Sequence, residues 1–503
     1  MLFNYDRTSE ESIYEYAKKL EKMTFREIME EYNKSVVKHY VDPSERGIYD
    51  IRDEMLNVAE EETGYYTNEN AKGQLGGLIE KYYFGYQPNG DQSADFSETG
   101  IELKQTCVDK KKDGSLRAGE RLVITMLSFK DPVVEDFYDS HVWDKIKKIL
   151  LVQYLRDKSK DRLDYQIQFV NMFTPPKEDL AIIIDDYNII NQKIKDGKAH
   201  ELSESDTMYL GACTKGQNSI TSNQPQYYGN HELARRRAYC FKQSYMNYIL
   251  NNYVLKNDVP YESIIKDKNI LKEKSFEDIL VDKIKQYVGK SDKELLQLFD
   301  VNAKSKGAYS TLALRMLGVK SNRAEEFEKA NIVVKAIRVE QNGKIKEHMS
   351  FPTFKAKELI SEESWEESNL YDYFSSTKFL FVIFKNDGKY YRLKNVQLWN
   401  MPNHDLETYV HECWNQTRET IINGVKFVHS NRGIENNLPK KTENPVMHVR
   451  PHAQHAAFRL YDGTEIGSLS DADELPDGQW MTKQCFWLNN DYVLKQLRLN
   501  MEN

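Results

Sequence analysis

The chain has 503 residues, more than one ordinary hydrophobic core can organise, so two domains of roughly 200 to 250 residues, or three smaller ones, are expected. Its formal net charge of −8 excludes a globally cationic nucleic-acid binder, and any such role must rest on local basic patches. Apolar residues make up 40% of the chain and 32 tyrosines are present, which excludes a disordered polymer, while the longest apolar runs, such as FLFVIF at 379–384, are far too short to span a bilayer.

The N-terminal stretch MLFNYDRTSEESIYEY carries no basic-then-apolar leader, and a cytoplasmic location without a membrane partner is expected. Cys107, Cys213, Cys240, Cys413 and Cys485 form no CxxC pair and cannot all be bridged, which points to buried thiols in a reducing compartment. Residues 9–34 show helical periodicity with cap candidates at Ser9 and Thr24. A helix is predicted over 72–84, which would bring Glu80 over the strand that follows. That strand lies in QSADFSETGIELKQT, residues 92–106. From Gly100 to Val108 the pattern alternates, so Glu102 and Lys104 point to one face while Ile101 and Leu103 point to the other. Asp95 lies on the approach. Two carboxylates converging near a lysine are what a hard divalent cation and an activated water require. Glu-x-Lys recurs by chance in a chain that is 29% charged, so the motif needs support from elsewhere.

Farther along, RLVITMLSF (121–129) and YQIQFVNMF (165–173) read as strands, and SHVWDKIKKILLVQYL (140–155) as a helix running into a strand. Three basic stretches cover 104–121, 143–162 and 231–248. Each alone fits a solvated face, but all three fall in the half that carries the acids, which favours a DNA partner.

The second half repeats the first in degraded form. AEEFEKANIVVKAIRV (324–339) answers SADFSETGIELKQTCV (93–108), setting Glu326 opposite Asp95, Val333 opposite Glu102 and Lys335 opposite Lys104. KGAYSTLALRMLG (306–318) answers KGQLGGLIEKYYFG (72–85), with Leu314 in place of Glu80. SNLYDYFSS (368–376) answers SHVWDKIKK (140–148), with Tyr373 in place of Lys145. MHVRPHAQH (447–455) parallels YLGACTKGQN (209–218), and QCFWLNNDYVLK (484–495) parallels YCFKQSYMNYIL (239–250). Five matches in one order indicate duplication, with the boundary in the polar stretch 255–278 and domains at 1–260 and 275–503. The second copy lacks the charges matching Glu80, Glu102 and Lys145, and a site missing one of two carboxylates binds an ion poorly. Only the first copy is expected to catalyse.

This ordered set of motifs resembles the MutH mismatch-repair endonuclease family, and its doubled arrangement resembles the Sau-type GATC-cutting restriction endonucleases of the same superfamily. The resemblance implies an α/β chain of two tandem PD-(D/E)xK, restriction-endonuclease-like domains, each a mixed β-sheet flanked by helices. It implies Asp95 and Glu102 as Mg2+ ligands, Lys104 as the catalytic lysine, Glu80 as a supporting acid and Lys145 as a second lysine near the scissile phosphate. Ala94 stands where the family has proline. A DNA-reading segment is implied at GACTKGQN, with Lys215 touching DNA. Arg235, Arg236, Arg237 and Lys242 are natural phosphate contacts on sequence grounds, and Arg450 and His452 occupy the matching loop of the second copy. The spacing of His448, His452 and His455 would suit zinc, but no carboxylate or cysteine completes that set. The expected activity is Mg2+-dependent hydrolysis of double-stranded DNA at GATC by a type II restriction endonuclease. The second domain is expected to act as a non-catalytic, allosteric DNA-binding module of type IIE character. With one active centre per chain, a palindromic site needs two chains meeting on DNA or one chain acting twice. A mismatch-repair GATC nickase, a non-catalytic DNA-binding regulator and a structural role stay open as alternatives.

Overall fold

The computed structural model describes residues 3–40, 74–86, 93–215, 223–229, 232–257, 259–305, 307–431 and 433–499. Lys72 and Gly73 of the predicted 72–84 helix, and Gly216, Gln217 and Asn218 of the DNA-reading segment, lie outside them. Backbone contacts divide the chain into two compact units, one of residues 1–200 and 208–259, the other of 201–207 and 260–503. The short segment 201–207, placed in the first domain from sequence, thus packs with the second unit.

In the first unit, helices α1 (Glu10–Lys18) and α2 (Phe25–Tyr40) start where their caps dictate. Ser9 accepts from the Ser12 N–H at 3.2 Å, and Thr24 and Glu27 cap reciprocally, the Thr24 N–H donating to Glu27 at 2.7 Å and the Glu27 N–H to Thr24 at 3.2 Å. Their apolar faces, through Ile13, Ala17, Phe25 and Ile28, join one core with Ile101, Leu103, Leu150 and Val152. Those last four belong to one face of a four-stranded sheet.

Its central strand β1 (Glu102–Lys110) pairs at its far end with β2 (Leu116–Ala118). A second sheet begins with β3 (Leu122–Met126). Helix α4 follows α3, which is an α-helical turn at Gln74–Leu78 continued by a π-helical stretch at Ile79–Phe84; α4 itself spans His141–Ile146 and leads into β4 (Ile149–Leu155). β4 lies parallel to β1 from Glu102↔Ile149 to Val108↔Leu155, and β5 (Gln166–Phe173) lies antiparallel to β4. Because β2 reaches only Val108 to Lys110, no described strand flanks the outer edge of β1 where Glu102 and Lys104 sit. The second sheet is completed by β6 (Leu210–Thr214) and β7 (Arg237–Phe241), in the antiparallel order β3-β7-β6, followed by α6 (Gln243–Ile249).

The second unit contains a comparable set of pairings beside further small sheets. Helix α7 (Ala308–Met316) precedes β8 (Ile332–Val339), β9 (Met349–Thr353), helix α8 (Asn369–Ser376), β10 (Lys378–Asn386) and β11 (Tyr391–Trp399). β8 is parallel to β10, and β10 antiparallel to β11. β12 (Met447–Pro451) and β13 (Gln484–Leu488) complete an antiparallel sheet of order β9-β13-β12, and α9 (Asn490–Gln496) follows. The register Val333↔Phe379 answers Glu102↔Ile149. Ser140 and Ser368 cap α4 and α8 in the same way, accepting from the N–H three residues on at 3.2 and 3.0 Å.

The strand registers correct the last sequence match by two residues. Thr214↔Arg237 in one sheet answers Pro451↔Gln484 in the other, and the Lys242 N–H donates to Tyr209 C=O as the Asn489 N–H donates to Val446 C=O. Arg237 therefore corresponds to Gln484, whereas the sequence match had set Tyr239 there. The shared letters Cys-Phe drew that match, but hydrogen-bond pairing, not letter identity, sets a strand's register.

All five cysteines are free and buried. Among the described residues no helix is long and apolar enough to cross a membrane.

Candidate active site

The alternation of β1 sends Ile101 and Leu103 into the core and Glu102 and Lys104 to the opposite face. Glu102 is only 2% exposed, and an ionised carboxylate at that depth must be paired. It is paired twice: Lys104 Nζ lies 2.8 Å from Oε1, and Lys145 Nζ lies 2.8 Å from Oε2. Lys145 comes from α4, whose start is set by the Ser140 cap, and its ammonium also donates to the Ser93 C=O at 2.6 Å. Asp95 precedes the short bridge Phe96↔Ile101. Its Oδ2 accepts from the Leu103 N–H at 2.8 Å, and its own N–H donates to Glu102 Oε2 at 3.3 Å.

Glu80 completes the group from α3. Its carboxyl is pushed up to about 7, first by burial, then by Asp95 and Glu102, with Lys104 and Lys145 opposing. Asp95 is raised to about 6 by burial and by Glu102, against its bond from Leu103 and the two lysines. The five residues picked out in the first copy therefore stand together: three carboxylates and two ammonium groups at one sheet edge.

The helix that carries Glu80 is not a plain α-helix. A π-turn holds one extra residue and is found preferentially at functional sites; here it spans Ile79–Phe84, buries Tyr82, Tyr83 and Phe84, and ends at Gly85 with φ of 73°. A side chain at Gly85 would have its Cβ 2.1 Å from the Phe3 ring, so only glycine lets the chain turn there.

Three buried polar side chains beside the acids were not singled out from sequence. The hydroxyl of Tyr86 is buried with no hydrogen-bond partner among the described residues; burial, then Asp95 and Glu80, disfavour its ionisation, and its ring packs on Phe96, 5.7 Å between centroids. Thr106 Oγ1 and both amide atoms of Gln153 are likewise buried and unpartnered. Thr106 and Gln153 face each other across β1 and β4, on the face that carries Lys104. Strand alternation could have revealed Thr106; Gln153 needed the register, and Tyr86 the turn at Gly85.

A metal is testable against this donor set. The carboxylates are oxygen ligands suited to a hard cation, and Asp95 and Glu80 are raised first by burial and then by their neighbouring carboxylates. Asp95 and Glu102 are the residues that could hold the ion, since each carboxylate oxygen retains a further acceptor site. Of the three histidines weighed for zinc, His448 is buried and donates through Nδ1 to Asn489 at 2.6 Å, while His452 and His455 are exposed.

The proposed DNA contacts divide. Lys215 is half-buried at the end of β6 and Arg236 is exposed; their backbones are joined by the Lys215 N–H to Arg236 C=O bond of 2.8 Å. Arg235 is half-buried on the same segment. Arg237 and Lys242 are corrected: at 3% and 1% exposure they cannot meet a phosphate on the surface. Arg237 donates to Ala212 C=O at 2.8 Å, and the Lys242 charge supports the fully buried Asp186, whose carboxylate collects the N–H groups of Met208, Tyr209 and Leu210. In the second unit Arg450 and His452 are exposed and flank Trp487, the guanidinium 5.0 Å and the imidazole 5.3 Å from its ring centroid. The backbone bond from His452 N–H to Lys483 C=O repeats that of Lys215, so His452 stands where the first unit has Lys215.

Residues 84–186 match the family model of the DNA mismatch repair enzyme MutH, a span that contains Asp95, Glu102, Lys104 and Lys145. The chain is 35% identical over 463 residues to the type II restriction enzyme Sau3AI of Staphylococcus aureus, an alignment covering 85% of this chain and 93% of that protein. The chain belongs to this MutH-like restriction endonuclease family. Family membership extends over both units, because an alignment of that length cannot be accommodated by the first alone.

Proposed function

We propose that the chain is a Mg2+-dependent type II restriction endonuclease that hydrolyses double-stranded DNA at GATC, with its single active centre in the first unit. The observation that carries this reading is Glu102, buried between Lys104 and Lys145 and bonded to the backbone of Asp95. Mg2+ held there would supply Lewis-acid stabilisation of the phosphate and a water of lowered pKa. The chain's own residues do the rest. Asp95 and Glu102 hold the ion. Lys145, the more buried lysine, fixes the Glu102 carboxylate, while Lys104, at 19% side-chain exposure against 9%, keeps its ammonium on the open side, where it meets the scissile phosphate and the attacking water. Glu80, with its carboxyl near 7, is placed to exchange a proton around neutral pH.

The shared sheet order and registers of the two units support a duplicated restriction-endonuclease-like fold, with the domains parting near residue 260. In the second unit Leu314, Val333 and Tyr373 replace Glu80, Glu102 and Lys145. Glu326, opposite Asp95, is turned to structural use, accepting from Ser263 and from the N–H groups of Ile264 and Ile265. That unit is a non-catalytic module that holds a second GATC duplex, with Arg450 and His452 as contacts, and activates or tethers the first. The chain is a monomer in solution and meets a second copy on DNA, in the cytoplasm, where free thiols persist.

Digestion of random-sequence DNA with and without Mg2+, followed by sequencing of the ends, tests the reading. Ends at GATC bearing 5′-phosphates and absent in EDTA are expected. Ends at another sequence would overturn the specificity, and binding without any cleavage would transfer the case to a regulator or a dormant nickase.

A further inference from the structure

The second unit keeps a cleft of about 390 Å³ at the edge of β8, lined among others by Lys335, Arg338, Lys346, His348, Ser350 and Tyr391. It occupies the place where the first unit has its acid cluster, since Lys335 matches Lys104 in strand register.

Two of its cations are compensated: Arg338 bonds Glu347 at 3.0 Å and Lys346 bonds Glu340 at 3.1 Å. Lys335 is not. Its ammonium donates to the Ser350 C=O at 3.2 Å and lies 5.3 Å from the Phe351 ring centroid. Val333 stands where Glu102 neutralises Lys104, and burial accordingly pulls the Lys335 pKa down with no carboxylate to restore it. An ammonium has three donors, and one neutral carbonyl uses one of them. His348, on the same lining, is lowered first by burial and then by Lys441 and Arg450, with Asp491 opposing; it faces His448 at 4.7 Å between ring centroids and accepts from the Asn490 N–H.

We propose that this cleft binds a phosphate group, whose oxygens take the two free donors of Lys335. Loss of the carboxylates that would repel an anion, with the lysine kept, converts a metal-binding geometry into an anion-binding one. Two sources share this chemistry, a free or terminal phosphate and a phosphodiester of duplex DNA. The inference rests on the cleft's own charges and stands apart from the reading of the second unit as a DNA module.

The test is calorimetric titration of the full-length chain, without divalent cation, with inorganic phosphate. Saturable binding is expected, retained in Lys335→Arg and weakened about tenfold or more in Lys335→Gln, the loss expected of one charge-assisted hydrogen bond. A readout that needs no variant accompanies it: phosphate should move the ring resonances of His348 in the wild-type NMR spectrum. Competition by a short duplex would assign the phosphate to DNA, and its absence to a free phosphate, both upholding the site. No saturable binding, equal affinity in Lys335→Gln, or binding that leaves His348 unmoved would overturn it.

Discussion

Glu102 is held by two lysines that do different work, and substitution separates them. Lys104→Ala removes the more exposed ammonium and should lower cleavage by about 10²-fold or more while leaving the unfolding midpoint nearly unchanged. Lys145→Met strands a buried carboxylate and should cost about 3 kcal/mol of stability besides the activity, measurable by denaturant titration. Equal stability losses would refute the division. His448 offers a pH test. Its folded pKa is lowered to about 4 from 6.5, chiefly by burial. The unfolded chain therefore takes up this proton first on acidification. The stability His448 contributes is present above pH 6.5 and is lost as pH falls through about 4. Melting curves across that window should fall less steeply for His448→Gln, and parallel slopes would contradict the assignment. At this scale the strand alternation made Glu102, Lys104 and their apolar neighbours legible. Arg237 and Lys242 misled because a basic stretch was taken as one exposed face, whereas the strand Arg237–Phe241 is buried at every position and Lys242, just after it, is buried beside Asp186.

Among the elements, the π-turn of α3 is the one whose geometry the site depends on. Its counterpart α7 is α-helical throughout, and the two sequence stretches differ in length by one residue, the residue a π-turn absorbs. That single-letter difference was visible in the repeat, but its meaning required the structure, because an insertion in a helix can also be looped out. Deleting Lys81 should close the turn as α-helix and rotate the residues after it by about 100° relative to Glu80, which places either Glu80 or the buried Tyr82–Phe84 wrongly. Helix content by circular dichroism should persist while cleavage collapses; full activity would show that the π-turn is dispensable. Registers were the other element-scale feature hidden from sequence: Gln153 joins the polar face only through its pairing with Thr106, and the two-residue correction at β13 came from backbone hydrogen bonds.

For the whole molecule, the two units share strand registers in their central sheets and the serine caps of α4 and α8, yet Glu80 and Glu102 have no acidic counterpart in the second. The repeat did not reveal that residues 201–207 pack with the second unit, since nothing local in a short polar segment says which core it joins. If the second unit binds its own copy of the site and acts on the first, cleavage must depend on the number of sites available to it, because a ligand can shift a second site only through coupling between the two. The most direct measurement incubates wild-type protein and Glu102→Gln, with Mg2+, on two plasmids carrying one GATC and several. Wild-type cutting at GATC, faster on the plasmid with several sites, and none by Glu102→Gln is the predicted result. Undiminished cutting by Glu102→Gln would contradict the placement of the active centre in the first unit.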